Sequence, residues 1–107
     1  MAIKEITVQE LKEKLDNKED FQLIDVRENF EVESASIAGL HIPLANVLLE
    51  ADKVEREKPV IIYCRSGRRS AAAISQLEQQ YGLKNLYNLK GGILAWAQDI
   101  DPTLEIV

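Results

Sequence analysis

Apolar positions along the chain form short runs that are separated by stretches with helical spacing. Three runs predict β-strands, over residues 21–26 (FQLIDV), 59–64 (PVIIYC) and 85–89 (NLYNL). The second run is apolar at nearly every position, which is typical of a central strand that is covered on both faces.

The first helical stretch begins with a capping signal. Thr7 and Glu10 stand three residues apart, the spacing at which a hydroxyl and a carboxylate cap the same helix start. A helix should run from there to about residue 17, with Val8, Leu11 and Leu15 on one face.

Helical spacing also follows the later runs. Helices are predicted over residues 45–55, 68–82 and 91–100, and one weak helical turn over 29–36, whereas residues 37–44 predict a loop with a short extended segment. In the 68–82 helix, Ile74, Leu77 and Tyr81 form the inward stripe, and Gly82 is a natural stop. Strands that alternate with helices predict a parallel α/β sheet with helices on both faces.

Length and composition narrow the class of protein. We expect one domain over residues 1–107. A net charge of −5 argues against a general nucleic-acid binder. No apolar run approaches the length of a membrane span, and the N-terminus lacks an apolar signal core, so we expect no membrane association and a cytoplasmic location. A single cysteine excludes an intrachain disulfide.

That cysteine, Cys64, stands where the most apolar run ends, in the stretch VIIYCRSGRRSAAA. Sites in open parallel sheets form at the carboxyl ends of strands. Ser66 and Gly67 allow a tight turn whose N–H groups can form an anion-binding nest, and the following helix adds its positive dipole end. Arg65, Arg68 and Arg69 add full charges.

Each of these features favours a thiolate, and cysteine in such surroundings typically has a pKa between roughly 3.5 and 7.5 instead of about 8.5. A lone cysteine at a strand end is more often structural, and arginines in a first helical turn usually form a solvated face. Because the arginines here oppose the helix dipole beside a glycine turn and a thiol, we interpret the loop as functional.

Four segments, LIDVRENFE, IAGLHIPL, VIIYCRSGRRS and NLYNLKGGILAWAQDIDP, resemble the rhodanese family of sulfurtransferases, in family order and over most of the chain. The resemblance implies a three-layer α/β/α domain with a five-stranded parallel sheet. It also implies that Cys64 accepts sulfur from a small anionic donor such as thiosulfate, and passes it to cyanide, a thiol or a sulfur-carrier protein through a persulfide.

The same resemblance implies roles for individual residues. Cys64 would be the nucleophile and Asp25 and Arg27 supporting scaffold, while the role of Glu31 is open. We expect neither a cofactor nor a metal site. The substrate-binding loop would consist of Arg65, Ser66, Gly67, Arg68, Arg69 and Ser70, with Arg69 as the principal donor-binding cation.

Two features qualify this correspondence. Many family members carry GHI where this chain has ASI at residues 35–37, and His41, a few residues later, is not assigned as a base. The ending GGILAWAQDIDP most resembles rhodanese domains fused to E1-like adenylyltransferases that activate sulfur-carrier proteins. There is no E1 domain here, and Met1 leads us to expect a complete short chain.

Three other functions remain open at this point. A cysteine-dependent phosphatase or arsenate reductase needs five residues between cysteine and arginine, whereas four separate Cys64 from Arg69 and Ser70 occupies the next position. A non-catalytic rhodanese-like binding module would not need the cysteine and basic loop that this chain retains. A thiol sensor or persulfide buffer would depend on an external thiol, because the chain has no second cysteine.

Overall fold

The computed structural model describes residues 2–107, so Met1 lies outside it. In this part of the chain the strands are β1 (Glu5–Ile6), β2 (Gln22–Asp25), β3 (Leu40–His41), β4 (Val60–Tyr63) and β5 (Leu86–Leu89). The helices are α1 (Val8–Asp16), α2 (Asn29–Ser34), α3 (Arg68–Tyr81) and α4 (Gly92–Asp99).

The strands form one parallel sheet in the order β1-β5-β4-β2-β3. Strand β4 lies in the middle, with Ile62 in register with Ile24 of β2 and Asn88 of β5. The predicted parallel sheet and its central strand are therefore confirmed. Strand β1 was not predicted, because two residues are too few to show a strand pattern.

Side chains of β4 alternate between two cores, as the two-residue repeat of a strand requires. Val60, Ile62 and Cys64 pack on the side of α3, whereas Ile61 and Tyr63 pack on the side of α1 and α4. The sheet thus has a helical layer on each face, which confirms the three-layer α/β/α architecture. It also directs the Cys64 side chain toward the start of α3.

The capping box predicted for α1 is present. The Thr7 hydroxyl accepts from the Glu10 backbone N–H at 3.1 Å, and the Glu10 carboxylate accepts from the Thr7 N–H at 2.9 Å. Val8 and Leu11 are buried as expected, but Leu15 is 37% exposed, because the last turn of the helix reaches beyond the core.

The helix predicted over residues 45–55 is wrong. Two separate 3-10 turns, Leu44–Asn46 and Ala51–Lys53, lie there instead. Val47, Ala51 and Val54 are buried at spacings of four and three residues, so a chain that bends around the core imitates the period of a helix.

The inward stripe predicted for α3 is correct for Ile74 and Leu77, which are fully buried, and wrong for Tyr81. Tyr81 is the last residue of the helix and is 41% exposed. Its hydroxyl donates to the Leu48 carbonyl at 3.2 Å, so the ring lies on the surface with its polar end bonded.

No helix within residues 2–107 combines the length and the apolar character that crossing a membrane requires.

Two leucines of α1 test the position of the core. Leu11→Ala should lower the free energy of unfolding by about 2–5 kcal/mol, because it leaves a cavity at a site with no exposure. The matched change Leu15→Ala should cost less than about 1 kcal/mol. Urea denaturation measures both values, and equal losses would show that the two leucines share one environment.

Candidate active site

Cys64 directly follows β4, and three residues separate it from α3. The connection turns at Gly67, whose φ of +105° lies in the region that favours glycine. The six loop residues predicted as substrate-binding, 65–70, therefore wrap around the sulfur, with the last three in the first turn of α3. Arg65, Ser66 and Arg68 are exposed at the rim, whereas Cys64 itself is only 1% exposed.

Two hydrogen-bond donors lie against the cysteine sulfur. The Gly67 backbone N–H donates to Sγ at 3.1 Å, and the Ser70 Oγ lies 3.4 Å from Sγ. Burial raises the pKa of the Cys64 thiol, but hydrogen bonds from the Ser70 side chain and from the backbone of Ser70, Gly67 and Ser66 outweigh burial and lower the pKa below its ordinary value. The site therefore stabilises a thiolate.

The first turn of α4 fixes the orientation of the loop backbone. The Ile93 N–H donates to the Cys64 carbonyl at 2.9 Å, and the Leu94 N–H donates to the Arg65 carbonyl at 3.1 Å. Gly92 permits this close approach, because a Cβ there would lie 2.5 Å from the Cys64 carbonyl oxygen and would also overlap the Arg65 backbone. The carbonyls of Cys64 and Arg65 are thus directed toward α4.

The three loop arginines have different surroundings. Arg69 forms a two-pronged ion pair with Glu31 of α2, with N–O distances of 2.6 and 2.8 Å. The Nε of Arg65 donates to the Val107 carbonyl at 2.8 Å. Arg68 is exposed at the rim of the loop.

Glu31 is the buried partner of this ion pair and is 5% exposed. Its hydrogen bonds with Arg69 overcome the effect of burial and lower the pKa of Glu31 from its ordinary value of 4.5 to about 2. The pair's contribution to stability is complete above pH 4.5 and is lost as the pH falls through 2.

Asp25 and Arg27 lie at the carboxyl end of β2, beside the loop but without a bond to Sγ. Both are buried, and Arg27 donates from Nε and Nη2 to the Asp25 carboxylate at 3.0 and 2.7 Å. Burial lowers the pKa of Arg27, but the bonds to Asp25 more than offset it and raise the pKa above its ordinary value. Arg27 also donates to the Ala35 carbonyl at 2.8 Å, so the pair anchors α2 to the sheet.

His41 is half-buried on β3, with its Nε2 2.7 Å from the Arg27 carbonyl. Because a carbonyl oxygen only accepts, Nε2 donates in this bond. Within residues 2–107, no cluster of three or more His, Cys, Asp or Glu side chains could hold a metal ion.

Two residues that contact the Cys64 loop were not singled out from the sequence. They are Gly92, and Asn88 of β5, which bonds to both Gly67 and Ser70. Glu31, whose role was left open, is the partner of Arg69. The signal for Asn88 was an amide between the apolar residues Tyr87 and Leu89 of a predicted strand, two residues after Leu86 and therefore on the same face.

The sequence matches the Rhodanese-like domain family over residues 7–99. The chain belongs to the rhodanese family. It is 37% identical over 103 residues to the Bacillus subtilis protein named putative sulfurtransferase YtwF, an alignment that covers 95% of this chain and 98% of the relative.

Two further comparisons extend this rhodanese match. The chain is 30% identical over 102 residues to the Mycobacterium tuberculosis protein named probable adenylyltransferase/sulfurtransferase MoeZ, covering 92% of this chain and 26% of that longer protein. A crystal structure of a rhodanese-like domain protein from Staphylococcus aureus superposes with a TM-score of 0.82 at 31% identity, covering 98% and 99% of the two chains. The resemblance noted at residues 23–102 is thereby confirmed.

Gly92 offers a test of the close contact between α4 and the loop. Gly92→Ala should cost roughly 1–2 kcal/mol for its positive φ and roughly 1–3 kcal/mol more for the clash with the Cys64 carbonyl. Gly82→Ala is the matched control, since Gly82 has φ +66° and nothing within 4 Å of its Cβ position. Chemical denaturation compares the two variants, and equal losses would mean that the loop yields to the added methyl group.

Proposed function

We propose that this protein is a sulfurtransferase that moves sulfane sulfur from a small anionic donor such as thiosulfate to a thiophilic acceptor through a persulfide on Cys64. The observation that carries the proposal is the pair of donors against Sγ, the Gly67 N–H at 3.1 Å and the Ser70 hydroxyl at 3.4 Å. Family membership and the relative named as a putative sulfurtransferase support the same reaction class.

The reaction has two steps that use the same sulfur atom of Cys64. The thiolate attacks the outer sulfur of thiosulfate, the bond between the two thiosulfate sulfurs breaks, and sulfite leaves with the electron pair. An acceptor nucleophile then attacks the outer sulfur of the persulfide, and the Cys64 thiolate leaves. This is a ping-pong scheme, in which the loop amides stabilise the anion present before and after each transfer.

The arginines supply the attraction for an anionic donor. Arg65 and Arg68 are exposed at the rim, where an approaching anion meets them first. Arg69 lies deeper and shares its charge with Glu31, so its pull on the donor is reduced by the carboxylate. In this proposal Arg69 stabilises the negative charge of the leaving sulfite, and Glu31 weakens the binding of the anionic donor by Arg69.

Cyanide, a small thiol or a sulfur-carrier protein could each be the acceptor, since each attacks the outer sulfur by the same chemistry. The M. tuberculosis relative, named an adenylyltransferase/sulfurtransferase, favours a protein-bound acceptor within this proposal. We further propose a cytoplasmic location, because the only cysteine has to remain a free thiol.

Sulfur loading tests the proposed reaction directly. Incubation with thiosulfate should increase the mass of the wild-type protein by one sulfur atom, and cyanide should remove that mass with release of thiocyanate. Cys64→Ser should gain nothing. An unmodified wild type that folds normally would instead favour a non-catalytic binding module, and hydrolysis of an aryl phosphate that depends on Cys64 would favour a phosphatase.

The pH dependence of alkylation tests the thiolate. Because the pKa of Cys64 is lowered, the pH profile of its reaction with iodoacetamide should have its midpoint below that of an ordinary thiol, which has a pKa near 8.5. The urea-unfolded chain, which has the same single cysteine, is the control and should titrate near 8.5. Coincident folded and unfolded profiles would remove the basis of the mechanism.

Arg69 and Glu31 should affect donor binding in opposite directions. Arg69→Ala should raise KM for thiosulfate several-fold, whereas Glu31→Gln should lower it, because a part-exposed charge is worth about 1 kcal/mol. Steady-state kinetics over a range of thiosulfate concentrations measures both, with thermal unfolding as the folding control. If both variants are less stable but have an unchanged KM for thiosulfate, the Arg69–Glu31 pair serves only to hold α2 in place.

A further inference from the structure

Asn88 is a polar residue on a β-strand, and its side chain is buried. It lies on β5 in register with Ile62 of the central strand and is 4% exposed. An uncharged amide at such a position is costly unless its donors and acceptors are paired. Both ends of the Asn88 amide are paired, and both partners belong to the Cys64 loop or the first turn of α3.

The two bonds connect Asn88 with the residues that donate to the cysteine sulfur. Its Nδ2 donates to the Gly67 carbonyl at 3.0 Å, and its Oδ1 accepts from the Ser70 hydroxyl at 2.5 Å. Gly67 supplies the N–H that lies 3.1 Å from Sγ, and Ser70 supplies the hydroxyl at 3.4 Å. One side chain thus binds the two residues that carry the groups nearest to the sulfur.

The Ser70 hydroxyl has one proton and two acceptors within reach. When Cys64 is a thiol, its S–H can donate to Ser70 Oγ while the hydroxyl donates to Asn88. When Cys64 is a thiolate, the hydroxyl proton is drawn to sulfur and the bond to Asn88 is lost. Asn88 therefore acts on the thiolate in two opposed ways, since it holds Gly67 in place and competes for the Ser70 proton.

We propose that Asn88 is a positioning residue for Cys64, which anchors Gly67 through its carbonyl and so restrains the residue whose N–H faces the sulfur. The inference deepens the proposed sulfur transfer and rests on it for its biological purpose. Asn88 is uncharged, so replacing it alters the donor geometry around Cys64 and leaves every neighbouring charge in place. The charged groups on the elements around Cys64 are Arg65, Arg68, Arg69, Glu31, Asp25 and Arg27.

The test removes the competing effect of the Ser70 proton first. The pKa of Cys64 is measured from the ultraviolet absorbance of the thiolate in Ser70→Ala and in Ser70→Ala/Asn88→Leu, with Cys64→Ser as the blank. The added Asn88→Leu change should raise the pKa by about one unit, as expected when a hydrogen bond to a charged group is weakened. Identical pKa values in the two variants would overturn the proposal.

Loss of packing is controlled on the same strand. Leu86 lies two residues before Asn88 on the same face of β5 and is fully buried. Leu86→Ala should therefore destabilise the core without removing a hydrogen bond to the Cys64 loop. In the Ser70→Ala background it should leave the pKa of Cys64 unchanged, and a shift equal to that of Asn88→Leu would also overturn the proposal. Asn88→Thr is a second variant. Threonine is favoured in β-strands, but its side chain is too short to reach the Gly67 carbonyl, so this change should raise the pKa of Cys64 as Asn88→Leu does.

The measurement needs no sulfur donor, so it separates this inference from the proposed function. If wild type takes up sulfur from thiosulfate while the pKa of Cys64 is insensitive to Asn88, only the positioning role fails. If the pKa moves as expected while wild type takes up no sulfur, the positioning role stands and the sulfurtransferase assignment fails.

Discussion

The site depends on the direction of a few peptide groups. In a peptide unit the N–H and C=O point in nearly opposite directions, so fixing one fixes the other. The first turn of α4 binds the carbonyls of Cys64 and Arg65, and Asn88 binds the carbonyl of Gly67. Holding the Arg65 carbonyl therefore orients the Ser66 N–H, one of the backbone donors to Cys64, and holding the Gly67 carbonyl restrains the residue whose own N–H faces the sulfur. A helix start and one amide side chain, both distant in sequence from Cys64, thus help to order the hydrogen-bond donors around it.

Four of the charged residues near the site form two ion pairs, one fully buried and one part-exposed. The Asp25–Arg27 pair is fully buried and ties the end of β2 to α2. The Glu31–Arg69 pair joins α2 to the start of α3, and its arginine is part-exposed. Because α2 supplies Glu31 to one pair and its C-cap residue Ala35 accepts from Arg27 of the other, it links the supporting scaffold to the loop. A buried pair of this kind holds geometry more than it adds net stability.

Features that depend on neighbouring residues were predictable from the sequence, and features that depend on distant partners were not. The strand PVIIYC, the Thr7–Glu10 capping box and the cysteine loop each lie within a few residues, so local pattern is enough. The 45–55 segment was predicted wrongly because a chain that bends around a core buries residues at helical spacing. The partnership of Arg69 with Glu31 and the role of Asn88 arise from elements that meet only in the folded sheet.

The near-complete cover of Cys64 limits oxidative damage as well as access. Conversion of a thiolate to sulfinic or sulfonic acid adds two or three oxygen atoms that need room and solvation. The residue Cys64 is 1% exposed, and its sulfur already has an amide and a hydroxyl against it, so two or three added oxygens are harder to accommodate than the one sulfur atom of a persulfide. The chain has no second thiol that could form a protective disulfide with an oxidised Cys64. We therefore expect the narrow surroundings of Cys64 to slow its conversion to sulfinic and sulfonic acid.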